Sequence, residues 1–228
     1  MAEPIVSPDL DDDTTTTSRR LPESTRVEAF SDGVFAIAVT LLVLDLHSPS
    51  GERGQFLHEL VRQWPAYVAY LAAFLNISAI WISHHDLFTR IHRVDARLIC
   101  ANLLLLMVSS LFPWPASVIA EAIRDGNHRD QVAATVLFAI VGLLVPLAWL
   151  VLYRCVRRSP HLLRAGEDVA FTRVASKQAL VSVIVYPIAA ALAFVAPIAS
   201  LVAFVALPLF FIGTVFAAQQ VLGAGRPR

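Results

Sequence analysis

Residues 26–46, RVEAFSDGVFAIAVTLLVLDL, place ionisable side chains inside an apolar run. Arg26 and Asp32 stand near its start and Asp45 near its end, and the twelve residues between the two acids carry no charge. A charge inside a membrane-length apolar helix costs about 3 kcal/mol unless it is paired or hydrated. The run therefore faces protein or water along part of its length. As a helix it puts Gly33, Ile37, Thr40, Leu41 and Leu44 on one face, at the spacing i, i+4, i+7, i+8, i+11. Rings of Ile and Leu narrow a pore until it dewets. A threonine hydroxyl between them offers oxygen to a partly dehydrated cation, and Asp45 raises cation concentration at a mouth. The same stripe occurs on any packed membrane helix, so spacing alone leaves pore and packing both open.

Other polar residues bear on the same end. Arg26 and Asp32 are six positions apart, about 600° around a helix, so they do not pair within it. Arg26 can snorkel to the interface. Asp32 is shorter and deeper, and is expected to accept hydrogen bonds from His84 or Asn102, holding the first helix in register beside Ser31. His84, His85 and His92 raise the question of a metal, but neither they nor His47, His58, His128 and His161 repeat a ligand spacing. A hydrogen-bonded network is the expectation, with no metal site. Nucleophile elbow, P-loop and dinucleotide fingerprint are all missing from the sequence. No catalytic residue and no cofactor are implied. Cys100 and Cys155 give neither a disulfide framework nor a metal spacing. The basic loop at 154–164, RCVRRSPHLLR, fits anionic lipid head groups rather than nucleic acid.

These residues need elements to position them. The 228-residue chain is 57% hydrophobic and 16% charged, against about 25% charged in ordinary globular domains. Its apolar runs approach the roughly 20 residues that cross a bilayer. The fold class is all-α integral membrane protein, with six transmembrane helices near 26–46, 57–83, 95–119, 131–153, 172–195 and 198–221. Residues 1–22, with the run DLDDDTTTTS, read as a disordered acidic, Thr-rich cytoplasmic tail and not as a cleavable signal. Residues 23–222 form the transmembrane domain and 223–228 a short cytoplasmic tail. Pro146, Pro187 and Pro208 fall inside apolar runs, which membrane helices tolerate. Pro197 opens the sixth.

With the amino terminus inside, the inner segments hold Arg19, Arg20, Arg26, Arg90, Arg93, Arg97, Arg154, Arg157, Arg158, Arg164, Arg173, Lys177, Arg226 and Arg228. Only Arg53, Arg62, Arg124 and Arg129 remain outside. The positive-inside rule then places both termini in the cytoplasm of a multi-pass cell (inner or plasma) membrane protein. Arg26, Asp32, His84, Asp95 and Asn102 fall at one membrane depth, near the inner mouth.

The string R-x-x-x-F-S-D at 26–32, followed by GVFAIAVTLLVLDL, resembles the bacterial branch of the transmembrane protein 175 family, potassium channels related to the endosomal and lysosomal potassium channel of animals. Trp81, His84, Phe88, Asp95 and Asn102 extend the resemblance, which covers about residues 26–221. It implies a potassium-selective channel and a homotetramer, with four copies of the first helix around the conduction path. Ile37, Leu41 and Leu44 would form the constrictions, with Thr40 between them. It also implies a structural and gating role for the inner polar residues Arg26, Ser31, Asp32, His84 and Asn102. The TVGYG carbonyl filter of other potassium channels does not occur here.

The alternative is a proton-permeable channel or a proton-coupled secondary transporter. Transporters show internal repeats and ionisable residues at the midplane, whereas residues 26–119 and 131–221 do not match each other and the midplane is nearly uncharged. The partners implied are potassium ions, membrane lipid and further copies of the chain.

Overall fold

The computed structural model describes residues 23–48 and 54–224, with side chains as far as Gly213. The expected tail at 1–22 lies outside the described residues, as does the carboxy-terminal tail from residue 225. Among the described residues the chain is helical apart from turns and two isolated bridges. The elements are α1 (Thr25–Leu41, continued by a 3-10 turn Leu42–Asp45), α2 (Phe56–Arg62), α3 (Trp64–Thr89), α4 (Ala96–Ser109), α5 (Pro113–Asp125), α6 (His128–Arg158), α7 (Phe171–Leu192) and α8 (Pro197–Ala224). Five helical segments are long and apolar enough to cross a membrane: Thr25–Asp45, Trp64–Thr89, Ala96–Asp125, His128–Arg158 and Phe171–Leu192.

Two elements depart from the sequence expectation, and proline explains both. The second helix starts as a separate turn, α2, because Pro65 sits at the opening of α3 and cannot donate back into α2. The third expected helix is split into α4 and α5 around residues 110–112. Pro113 has no N–H to offer the Ser109 carbonyl, which accepts instead from the Phe112 amide at 3.3 Å in a tighter turn. Both pieces keep one apolar course across the span. By contrast, Pro146, Pro187 and Pro208 stay inside continuous helices.

Helix ends follow local chemistry. Asp95 caps α4 by accepting from the Leu98 amide at 2.8 Å. Asn127 caps α6 through the Arg129 and Asp130 amides. Gly126 ends α5 at φ 78°, the left-handed conformation that glycine takes without strain.

The core lies among α3, α4, α5, α6, α7 and α8. Phe112, Phe138 and Phe204 are buried and in ring contact there, with Tyr186 stacked beside Phe204. Gly142 on α6 lets the Tyr186 ring of α7 lie against its backbone, since a Cβ at that position would fall inside the ring. α1 is held more lightly. It packs against α3, α4 and α5 through Ser31, Phe35, Ala38 and Leu42.

One end of the bundle gathers the start of α1, the α3–α4 turn and the α6–α7 loop. The Ser24 amide donates to the His92 carbonyl, and the Ser24 hydroxyl to that of Ile91 at 3.1 Å. His92 and Arg93 amides reach the Leu162 carbonyl, and the Arg164 amide reaches that of Arg90. The Arg90 guanidinium bonds Glu167 at 2.9 Å, approaches Asp86 at 3.5 Å and lies 4.9 Å over the Phe171 ring. Burial opposes its charge, but the Glu167 hydrogen bond and the Asp86 carboxylate raise its pKa above the usual arginine value. That clamp therefore keeps its cation throughout the physiological pH range.

Candidate functional site

The buried positions of α1 define its orientation. Ser31, Phe35, Ala38 and Leu42 recur at i, i+4, i+7 and i+11, so they form one inward face. A helix turns about 100° per residue, which puts Ile37 some 200° from Phe35. Gly33, Ile37, Thr40, Leu41 and Leu44 thus lie on the face turned away from the protomer. All five are exposed on it, with Ile37 at 61%, Leu41 at 45% and Leu44 at 69%. A Cβ at Gly33 would meet nothing within 4 Å. The Thr40 hydroxyl donates to the Ile37 carbonyl at 3.0 Å. With its proton turned into its own helix, the oxygen keeps lone pairs for an acceptor role.

Behind this face a polar relay crosses three helices. Ser31 Oγ donates to the Val27 carbonyl at 2.8 Å and accepts from Asn102 Nδ2 at 2.9 Å. That orientation leaves Asn102 Oδ1, a pure acceptor, 2.9 Å from His84 Nε2. The histidine must then carry its proton on Nε2. Ser31, His84 and Asn102 are all buried, and the His84 ring lies edge-on to Phe35 and stacked on Phe88 with centroids 4.2 Å apart. A satisfied polar network in an apolar interior fixes one packing arrangement, because every alternative leaves a member unpaired.

Asp32 does not join that relay, contrary to the expected bond from His84 or Asn102. Its Oδ1 accepts from the Trp81 indole N–H at 2.9 Å, and Trp81 stacks on His85 with centroids 5.8 Å apart. The reason is angular. Neighbouring residues on a helix diverge by about 100°, so once Ser31 faces inward, Asp32 swings towards the exposed side of α3. Sequence reasoning named Trp81 only as part of a resemblance and missed it as the partner of Asp32. The available signal was an indole donor on the same helix as His84, at the depth of the acid. Ser24, which pins the start of α1, gave no such signal.

Arg26 is exposed and lines a groove with Val27, Phe30, Asn102 and Leu103. Asp45 lies at the opposite end of α1. There it borders a cavity of about 380 Å³ whose polar lining includes His47, Gln63, Glu121 and Arg124. Ser31, His84 and Asn102 are therefore brought together, Asp32 adjoins them through Trp81, and Arg26 and Asp45 stand apart. Among the described residues no group of three or more His, Cys, Asp or Glu side chains is placed to hold a metal ion.

Long apolar helices with short connections, capped by a basic cluster at one end, define a multi-pass membrane protein. The profile of the endosomal/lysosomal potassium channel TMEM175 matches residues 26–113, the segment containing α1 and both its polar partners. A Streptomyces collinus protein named as a potassium channel is 41% identical over 175 residues, covering 76% of this chain and 84% of its own length. A crystal structure of a lysosomal potassium-selective channel TMEM175 homolog from Chamaesiphon minutus superposes with a TM-score of 0.72 at 30% identity. That match covers 83% of this chain and 96% of the other. The rat endosomal/lysosomal proton channel TMEM175 is 32% identical over 184 residues, 75% of this chain but 36% of the rat protein. The chain belongs to the TMEM175 family.

Proposed function

We propose that this chain is a passive potassium-selective channel of the cell membrane, with the outward face of α1 lining the pore. The observation that carries the reading is the composition of that face. α7 also leaves a broad side uncovered, but beyond Arg173 and Lys177 in its first turns the exposed residues Leu180, Val181, Ile184 and Ile188 are all apolar, as lipid requires. The α1 face instead combines Ile and Leu with Gly33 and an available threonine oxygen. Four copies of the chain, the assembly that the family resemblance implies, bring these faces to a common axis.

In that arrangement Asp45 concentrates cations at the outer mouth. Ile37, Leu41 and Leu44 form successive apolar rings that ions cross with part of their hydration removed. Thr40 supplies oxygen between them. Potassium sheds water at lower cost than sodium, so a dehydrating constriction favours it. The Ser31–Asn102–His84 relay and the Asp32–Trp81 bond hold the inner end of α1 in register. α8, at 28 residues, extends about 42 Å and completes six spans. The end bearing Arg90, Arg93, Arg97, Arg154, Arg157, Arg158 and Arg164 faces the cytoplasm, as do both termini. The name of the rat relative favours a second reading, proton permeation through the same pore.

Flux in liposomes discriminates among the readings. Purified protein should release potassium down its gradient when a protonophore supplies the compensating current, with no co-substrate. Flux that requires a counter-gradient would establish a transporter. Proton current in the absence of any potassium gradient would establish the second reading.

A further inference from the structure

A cavity of about 350 Å³ opens at the basic end of the bundle, between the first turn of α4 and the last turns of α6. Arg97, Arg154, Arg158, Ser159, Val151 and Cys155 line it. Arg154 and Arg158 are four residues apart on α6 and project from one side of it. Arg97 adds a third guanidinium from α4. No carboxylate among the described residues pairs with any of the three. The acids nearby are committed elsewhere: Asp86 and Glu167 hold Arg90, and Asp95 caps its own helix. Arg157, the remaining arginine of this turn, donates to Ser176 on α7 at 2.8 Å.

A second observation points into the same cavity. Ser159 is 8% exposed, and its hydroxyl makes no hydrogen bond among the described residues. Three unpaired cations and a hydroxyl still open to the cavity constitute a donor set for a phosphate, which guanidinium groups bind in bidentate fashion. Beyond the cavity, Val151, Leu147, Leu144 and Ile140 are exposed along one side of α6 at helical spacing. They make an apolar track leading from the arginines into the membrane-spanning part of the helix.

We propose that this cavity is a binding site for an anionic phospholipid of the inner leaflet. The phosphate sits among Arg97, Arg154, Arg158 and the Ser159 hydroxyl, and an acyl chain lies along Val151, Leu147, Leu144 and Ile140. The track is what selects a lipid over a free phosphate. The site rests on the orientation given above and not on which ion the protein conducts.

Native mass spectrometry of the full-length protein in detergent tests it, with phosphatidylglycerol and phosphatidylcholine of identical acyl chains. Phosphatidylglycerol should be retained preferentially. The double variant R154Q/R158Q should weaken its retention by about thirty-fold, whereas R93Q, a cation outside the cavity, should leave it unchanged. Glycerol phosphate in excess should not displace the lipid. Cys155 gives a readout on the unaltered protein: phosphatidylglycerol should slow its modification by a maleimide while the exposed Cys100 reacts at its former rate. Equal retention of the two lipids, equal loss in R93Q, displacement by glycerol phosphate, or an unprotected Cys155 would each overturn the site. Potassium flux in phosphatidylcholine liposomes is a separate measurement, so failure here leaves the channel reading to its own test.

Discussion

Asn76 on α3 donates through Nδ2 to the carbonyl of Phe204 on α8, at 3.1 Å. Pro208, four residues further along α8, lacks the N–H that would have met that carbonyl within the helix. The same amide donates to the Ala72 carbonyl at 2.8 Å, and its oxygen accepts from the Tyr186 hydroxyl at 2.6 Å. One buried side chain thus repairs a proline defect and joins three helices, in a region where an unsatisfied backbone group has no water to turn to.

Asn76→Leu should destabilise the protein by about 1–3 kcal/mol, since it removes two interhelical bonds and orphans a carbonyl. Tyr186→Phe removes only one of those bonds and should cost less. Thermal unfolding in detergent, followed by circular dichroism, gives the order. An Asn76→Leu protein as stable as the parent would show that the bond to Phe204 contributes nothing.

Gly142→Ala should also be destabilising, because the added methyl enters the space of the Tyr186 ring. Overpacking of this kind costs about 1–3 kcal/mol, and the ring is not free to retreat while its hydroxyl is held by Asn76. Combining Gly142→Ala with Tyr186→Leu should recover part of the loss, read as a positive coupling in a double-mutant cycle. Strict additivity would mean the two positions do not press on one another.

Asn102→Leu should loosen the N-terminal half of α1 by about 1–3 kcal/mol, because it strands the His84 N–H and one acceptor site of Ser31 in a dry interior. Ser31→Ala should cost less, since its own donated bond is local to α1. Hydrogen exchange at residues 26–35 measures the loosening directly. A larger effect from Ser31→Ala would put the weight of the relay on the wrong residue.

Trp81→Phe keeps an aromatic ring beside His85 but takes the indole N–H from Asp32. Removing the now unpaired charge by Asp32→Asn should then be better tolerated in the Trp81→Phe background than in the parent. The pair of stability differences forms a second cycle, and equal values in both backgrounds would separate the two residues.

Leu41→Ser should raise basal ion leak several-fold and reduce discrimination between potassium and sodium, because a polar ring holds water where an apolar one excludes it. Val181→Ser, on the exposed side of α7, is the control and should change neither property. Liposome flux with each cation reads both. An unaltered Leu41→Ser protein would remove α1 from the pore wall.

Much of this was legible from residue order. A hydrophobic share of 57% with several membrane-length runs defines a helical membrane protein, because backbone groups in lipid must be satisfied within the segment. The periodicity of residues 33–44 grouped Gly33, Ile37, Thr40, Leu41 and Leu44 on one face before any neighbour was known. Prolines were harder to interpret, because the consequence depends on who supplies the missing donor. Pro208 is accommodated inside α8 with Asn76 serving its orphaned carbonyl, while Pro113 splits a span into α4 and α5.

Sequence by itself determined helix type, the stripe on α1 and the concentration of arginine towards one end, since each follows from local periodicity and composition. Tertiary structure alone decided which side of α1 faces the bundle and which partner each polar residue takes. Ser31 and Asp32 are adjacent in the chain, yet one accepts from Asn102 and the other from Trp81. A rotation of about 100° between neighbours sends their side chains to different helices, and only the packing of Phe35, Ala38 and Leu42 sets the starting angle.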